Sequence, residues 1–212
     1  MSEKYQVSSS PHVRAKDSTS RVMLYVLIAL LPASLFGIYN FGYKALVLIL
    51  VTIASCMASE WIFDKIVHKK NSLTDLSAVV TGLLLALNFP VNLPWWEAVI
   101  GGVFAIVIVK MLFGGLGQNF ANPAITARIV LFVSFATDMT TWADPTKGRV
   151  FSASDAVTSA TPLGVFTEGG AAEAEAAFSL KQLFFGTVGG SMGEVCALAL
   201  LIGGLFLIVM KI

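Results

Sequence analysis

From Val22 to Tyr39 the chain carries no charged side chain, and from Ala45 to Phe63 it carries only Glu60. Runs of this length match the roughly 20 residues that cross about 30 Å of hydrocarbon. Inside a bilayer no water is available to the peptide groups, so the backbone must satisfy its own N–H and C=O groups, as a helix does. Both runs are therefore read as membrane-spanning helices. Composition agrees. Apolar residues make up 56% of the 212 and charged residues only 13%, against about 25% charged in soluble domains. Mean hydropathy is +0.80. A disordered chain needs the opposite balance, and a water-soluble domain could not hide so much apolar surface. The net charge of +1 leaves no basic footprint for nucleic acid. Cys56 and Cys196 cannot build a disulfide framework, and both read as buried packing residues.

The remaining apolar runs are shorter or broken. Leu76 to Phe89 is a thin span, or a helix unwound near Thr74 and Asp75. Val91 to Trp96 holds two prolines and a Trp pair and reads as an interfacial turn. Ala98 to Phe113 is a further span, and Gly114 to Pro123 breaks it. A short helix follows over about Ala124 to Phe135. Residues 137–181 are polar, small and acidic, the one large excursion from the membrane. Leu183 to Met210 is apolar again but interrupted by Gly186, Gly189, Gly190 and Gly193, which reads as a broken or tilted helix. The expected fold is all-α: a polytopic transmembrane protein with short and broken helices and one large extracytoplasmic loop. Its divisions are 1–21, a cytoplasmic N-terminal segment without the apolar core of a signal peptide; 22–136, a first helical unit; 137–181, the loop; and 182–212, the start of a second half.

Basic residues set the orientation. Lys4, Arg14, Lys16 and Arg21 precede the first span and Lys65, Lys69 and Lys70 follow the second, while the turn between them has only Lys44. The N-terminus is therefore expected in the cytoplasm. Counting spans puts the loop outside; a re-entrant helix at 124–135 would return it to the cytoplasm. Glu60, Asp64 and Lys110 lie near span ends and are expected at the interface.

Familiar catalytic sets are missing: there is no CxxC, HExxH or P-loop, and no catalytic residue or metal site is assigned. Gly114-Gly115-Leu116-Gly117 follows a membrane helix rather than a strand, so it is no dinucleotide loop. Gln118, Asn119 and Asn122 nonetheless place amides in a glycine-rich break that could line a cavity holding a flavin or an ion. Arg128 and Glu194 are ionisable groups inside apolar runs, where such residues default to functional hypotheses. Arg128 suits a phosphate or the interface, and Glu194 an ion path or a helix cap.

The most informative stretch is Asp155-Ala156-Val157-Thr158-Ser159-Ala160-Thr161, followed by Pro162. It resembles the signature at which a flavin transferase joins FMN, through its phosphate, to the final threonine. Random sequence would match in roughly one chain of this size in a thousand. In that reading Thr161 carries the phosphoester, and Asp155, Thr158, Ser159 and Ala160 are the recognition residues. Pro162 biases Thr161 towards an extended backbone. Asp75 to Pro90, Pro94-Trp95-Trp96, Gly114 to Asn119 and Asn122-Pro123-Ala124 add to the likeness. From about Arg21 to Ile212 the chain resembles the D subunit family of the Rnf ion-translocating electron-transport complex, which shares its layout with the B subunit of the sodium-pumping NADH:quinone oxidoreductase. The family usually has Gly where this chain has Ser159. Its members are longer and built of two related halves, so this chain resembles their N-terminal two-thirds.

The resemblance implies a flavoprotein of the bacterial inner membrane. It would relay electrons between ferredoxin and NAD through covalent FMN and couple them to movement of Na+ or H+. Implied partners are the FMN-bearing G subunit, the other integral subunits, and the flavin transferase during maturation. Alone, the chain would not turn over. Any second flavin leaves no mark in this sequence. The rival reading is a transporter or channel with broken helices and no redox centre; a purely structural scaffold is a third.

Overall fold

The computed structural model describes residues 18–68, 72–145 and 160–212. The two long apolar runs form α1 (Thr19–Phe41) and α2 (Tyr43–Ile66). Ser18 caps α1 through its side chain. Between the two helices stands Gly42 alone, at φ 75°, where an L side chain would be strained. Both helices are long and apolar enough to cross a membrane. A 3₁₀ turn at Leu73–Asp75 leads into the short α3 (Ser77–Leu87). α4 (Trp95–Val103) continues without a break as a π-helix, Phe104–Met111. After the Gly114–Asn122 loop come α5 (Pro123–Ser134) and the single turn α6 (Ala136–Met139). Then follow α7 (Pro162–Ala177), kinked at Gly170, α8 (Leu180–Phe185) and α9 (Ala197–Met210). No β-strand occurs among the described residues. The excursion read as a loop thus contains a helix, because Thr161 and Pro162 supply an N-cap and a first-turn proline.

The elements pack antiparallel. At one end Ser20 donates to the Thr74 carbonyl, Lys110 meets Glu60, and Tyr25 packs edge-on to Phe206. At the other end Trp96 packs on Phe135 and Asn40 reaches Gly186. Large apolar side chains such as Leu35, Val133 and Ile208 stay exposed on the outer surface. That arrangement suits lipid, and the chain is a polytopic helical membrane protein.

Without a hydrophobic drive between helices in lipid, close backbone packing decides which helices meet. Glycines stand at three of the crossings. A Cβ on Gly82 of α3 would come within 2.8 Å of the Ile53 Cα of α2. One on Gly102 of α4 would overlap Ser55 Oγ of α2, and one on Gly203 of α9 would overlap the Ala29 carbonyl oxygen of α1. Hydroxyls within the spans turn back on their own helices: Ser34 donates to the Leu30 carbonyl, Thr52 to Leu48 and Thr81 to Ser77.

Glu60, Asp64 and Lys110 depart from expectation. They are buried, at 0%, 4% and 2% exposure. Lys110 donates to both carboxylate oxygens of Glu60, at 3.0 and 2.8 Å. For Glu60 and Lys110, pairing inside the bundle replaces exposure at the interface, since each charge offsets the other's need for water; Asp64 is held by Ser72.

The packing sets the cost of substitution. Gly82→Val lowers the thermal unfolding midpoint in detergent, at a cost of about 1–3 kcal/mol, whereas Gly204→Ala, where a Cβ meets nothing within 4 Å, leaves it unchanged. Lys110→Met strands a buried carboxylate and costs about 3–5 kcal/mol, while the double variant Lys110→Met/Glu60→Leu recovers most of that loss in the same assay.

Candidate functional site

α3 is too short to cross a bilayer, and its carboxyl end stops inside the protein. Its last carbonyls need donors. Backbone N–H groups from a distant segment serve this end: Gly193 donates to the Leu87 oxygen at 2.8 Å and Met192 to the Phe89 oxygen, just beyond the helix, at 3.2 Å. Asn88 folds its amide nitrogen back to the Leu84 carbonyl at 2.8 Å. Its amide oxygen then accepts from Arg128 Nη1 at 2.9 Å. Arg128, from the middle of α5, thus lies against the carboxyl end of α3, where a helix dipole favours a cation.

The segment 186–196 that closes α3 is irregular because of its glycines. Gly186 ends α8 in the left-handed region at φ 76°. A Cβ there would sit 2.5 Å from the Val195 carbonyl oxygen. Asn40, buried at the end of α1, donates to the Gly186 carbonyl at 2.7 Å. Glu194 accepts from the Ser191 hydroxyl at 2.8 Å and is exposed. It stands in a turn before α9, not within a span.

Between α5, α7 and this segment lies a cavity of about 340 Å³ whose wall includes Arg128, Trp142, Thr161, Ser191 and Glu194. Thr161 caps α7: its backbone is extended (φ −77°, ψ 153°) and its hydroxyl oxygen accepts from Gly164 N at 3.0 Å. The cavity therefore brings together a hydroxyl at a helix N-terminus, a guanidinium, a carboxylate and an indole. A helix N-terminus and an arginine together favour an anion. Next to it, across Pro162, Leu163 and Leu183, a second cavity of about 500 Å³ is lined mainly by apolar groups including Phe166 and Phe178. A hydroxyl, a guanidinium and a helix N-terminus beside an apolar surface are the kinds of group that a phosphate-bearing aromatic molecule would use.

Thr161, Arg128 and Glu194 are thus brought together, and Ala160 stands exposed beside Thr161. Asp155, Thr158 and Ser159 lie outside the described residues. Gln118, Asn119 and Asn122 are not part of this wall. Asn122 instead caps α5, accepting from Ala124 N at 3.0 Å. Asn119, with its amide turned, donates to the Lys110 and Gly115 carbonyls at 3.3 and 3.0 Å, and Gln118 is exposed. The glycine-rich break serves the helix ends on its own side. Sequence reading does not single out Trp142 or Ser191; neither sits in a motif, and only the return of the 186–196 segment onto α3 places Ser191 on the same wall as Thr161.

A bundle of this form, with short helices capped from within and a polar cavity at one end, defines a polytopic α-helical membrane protein. The chain belongs to the family described as NQR2, RnfD, RnfE, which it matches over residues 6–212. It is 50% identical over 204 residues to the D subunit of the Na(+)-translocating ferredoxin:NAD(+) oxidoreductase complex of Acetobacterium woodii, covering 95% of this chain and 61% of that protein. It is 42% identical over 212 residues to the D subunit of the proton-translocating ferredoxin:NAD(+) oxidoreductase complex of Clostridium ljungdahlii, covering 98% and 63%. To the D subunit of the ion-translocating oxidoreductase complex of Rhodobacter capsulatus it is 40% identical over 226 residues, covering 96% and 63%. The chain spans about three fifths of the length of these relatives.

Asn40 tests the cavity's frame. Asn40→Leu removes a buried hydrogen bond and leaves the Gly186 carbonyl unpaired, at about 1–3 kcal/mol. Hydrogen exchange should then quicken at the Met192 and Gly193 amides and stay unchanged at the α2 amides.

Proposed function

We propose that this protein is the flavin-bearing D-type subunit of an ion-translocating ferredoxin:NAD oxidoreductase, holding FMN as a phosphoester on Thr161. The observation that carries this reading is the placement of Thr161. The last residue of the attachment-like motif is a helix N-cap on the wall of a cavity that also holds Arg128. An ordinary Ser/Thr loop has no need of that arrangement.

The chain's own residues have separable tasks. Thr161 supplies the oxygen that carries the ester. The positive end of the α7 dipole and the Arg128 guanidinium offset phosphate charge. Asn88 holds Arg128 in place. Leu163, Phe166, Phe178 and Leu183 offer apolar and aromatic surface for a ring. When bound, FMN supplies one- and two-electron redox chemistry. Glu194, on the same wall, places a negative charge near that group and shapes its potential.

The partners in this reading are the FMN-bearing G subunit, the other integral subunits and, during maturation, a flavin transferase. The setting is the inner membrane. The end holding Lys110 and Glu60 faces the cytoplasm and the Thr161 end faces outward, following the basic residues that flank α1 and α2. Relatives named for Na+ and for protons are both similar, so the transported ion is Na+ or H+ in this proposal.

The test is fluorescence of the SDS-denatured protein band under ultraviolet light after co-expression with the flavin transferase. The parent band is expected to fluoresce and Thr161→Ala to be dark. A dark parent, with the transferase shown active on a control substrate, would defeat the proposal and favour a transporter without a redox centre.

A further inference from the structure

The buried pair of Glu60 and Lys110 belongs to a larger polar cluster at the end of the bundle away from Thr161. Lys110 has three N–H donors and uses all three, two on Glu60 and one on Ser77 Oγ. Ser77 accepts from Lys110 and passes its own proton to Asp75 Oδ1, so that branch is balanced. Asp75 is half-buried and also caps the start of α3 through Ser77 N, where a helix N-terminus favours its charge.

The other branch does not balance. Ser72 Oγ lies 2.5 Å from Glu60 Oε1 and 2.9 Å from Asp64 Oδ2. Both are hydrogen-bond separations, but a hydroxyl has a single proton. Two carboxylates cannot both receive it. Independently, Asp64 is 4% exposed and its Oδ1 has no partner among the described residues. Among those residues its Oδ2 meets only Ser72, through the backbone N–H and the hydroxyl, and no basic group stands within salt-bridge distance. An uncompensated buried carboxylate is costly. Lys110 already cancels one negative charge, that of Glu60.

We infer that Glu60, Ser72 and Asp64 form a buried proton-binding site that holds one proton between the two carboxyls. With that proton, Asp64 donates to Ser72 Oγ and Ser72 donates to Glu60. Every hydrogen bond then has its own proton, and the charge of the Glu60–Asp64 pair equals and opposes that of Lys110. Among the described residues, the groups facing the site are Lys110 and Cys56 within the bundle and Asp75 beyond Ser77; Lys65 is engaged on the Trp61 ring. The 2.5 and 2.9 Å oxygen separations fit a proton, which needs no coordination space of its own. Use of this proton in coupled ion movement rests on the function proposed above; holding it does not.

Infrared difference spectroscopy of the purified full chain, with the subunits that co-purify, reads the site without turnover. The carbonyl stretch of a protonated carboxyl lies above the amide and carboxylate bands and moves down in D₂O. At neutral pH the parent is expected to show such a band that Asp64→Asn lacks and that Asp75→Asn retains. Ser72→Ala keeps both carboxyls but removes the bridge, and should shift that band upward. Addition of sodium at constant pH should leave it in place. Identical carbonyl bands in parent and Asp64→Asn, no shift in Ser72→Ala, or loss of the band with sodium would each overturn the inference. A band lost in Asp64→Asn, from protein that carries no flavin on Thr161 after co-expression with an active flavin transferase, would uphold the proton site while defeating the flavin reading.

Discussion

The carboxyl end of α3 is the point on which the architecture turns. An eleven-residue helix spans about 16 Å at 1.5 Å per residue, so it ends at membrane depth. There its last carbonyls would be left without water. Each such group costs several kcal/mol in hydrocarbon. The chain solves this by bringing residues 186–196 back onto α3, with Met192 and Gly193 as donors and Asn88 bonding the Leu84 carbonyl. That return brings Ser191 and Glu194 onto the wall of the cavity at Thr161. Arg128 joins the same arrangement because Asn88 has an amide oxygen to spare. The cavity is therefore a consequence of ending a helix early.

The opposite end follows a different rule. Here a lysine and a glutamate are buried as an ion pair inside a larger polar cluster. The π-helical stretch Phe104–Met111 carries Lys110 into the bundle, and π turns are found frequently at functional sites. Glu60 meets Lys110 from α2, and Ser72, Ser77 and Asp75 join from the turn before α3 and its first residue. Such a cluster contributes little net stability compared with a well-packed apolar replacement. Its presence beside an apolar core that includes Leu85, Phe89 and Leu131 points to a role other than holding the bundle together.

Much of this is legible in the sequence, and the reasons differ by element. α1 and α2 are visible because length and lack of charge leave a membrane helix as the way to satisfy the backbone. Thr161 stands out because a motif-like run ends there, directly before Pro162. Glu60, Asp64 and Lys110 are buried rather than interfacial, because position along a span says nothing about which face a residue takes. Their burial depends on α2, α3 and the π-helix meeting, a tertiary fact. Gln118, Asn119 and Asn122 look like a pocket because amides and glycines are common to pockets and to helix ends; here Asn119 and Asn122 tie helix ends and Gln118 is exposed. Glu194 reads as buried in an apolar run, yet the glycines before it turn the chain and leave it exposed.

α3 touches both polar regions. Its first residue, Ser77, accepts from Lys110, and Asn88, just past its last residue, accepts from Arg128. Between them the helix is packed by Gly82 directly on the α2 backbone. Packing at near-crystal density along that contact resists local deformation of the helix. The two ends differ in chemistry, one a cavity lined by Arg128, Thr161 and Glu194 and one a hydrogen-bonded charge cluster, but they share one short helix whose ends are both tied by side chains from other elements.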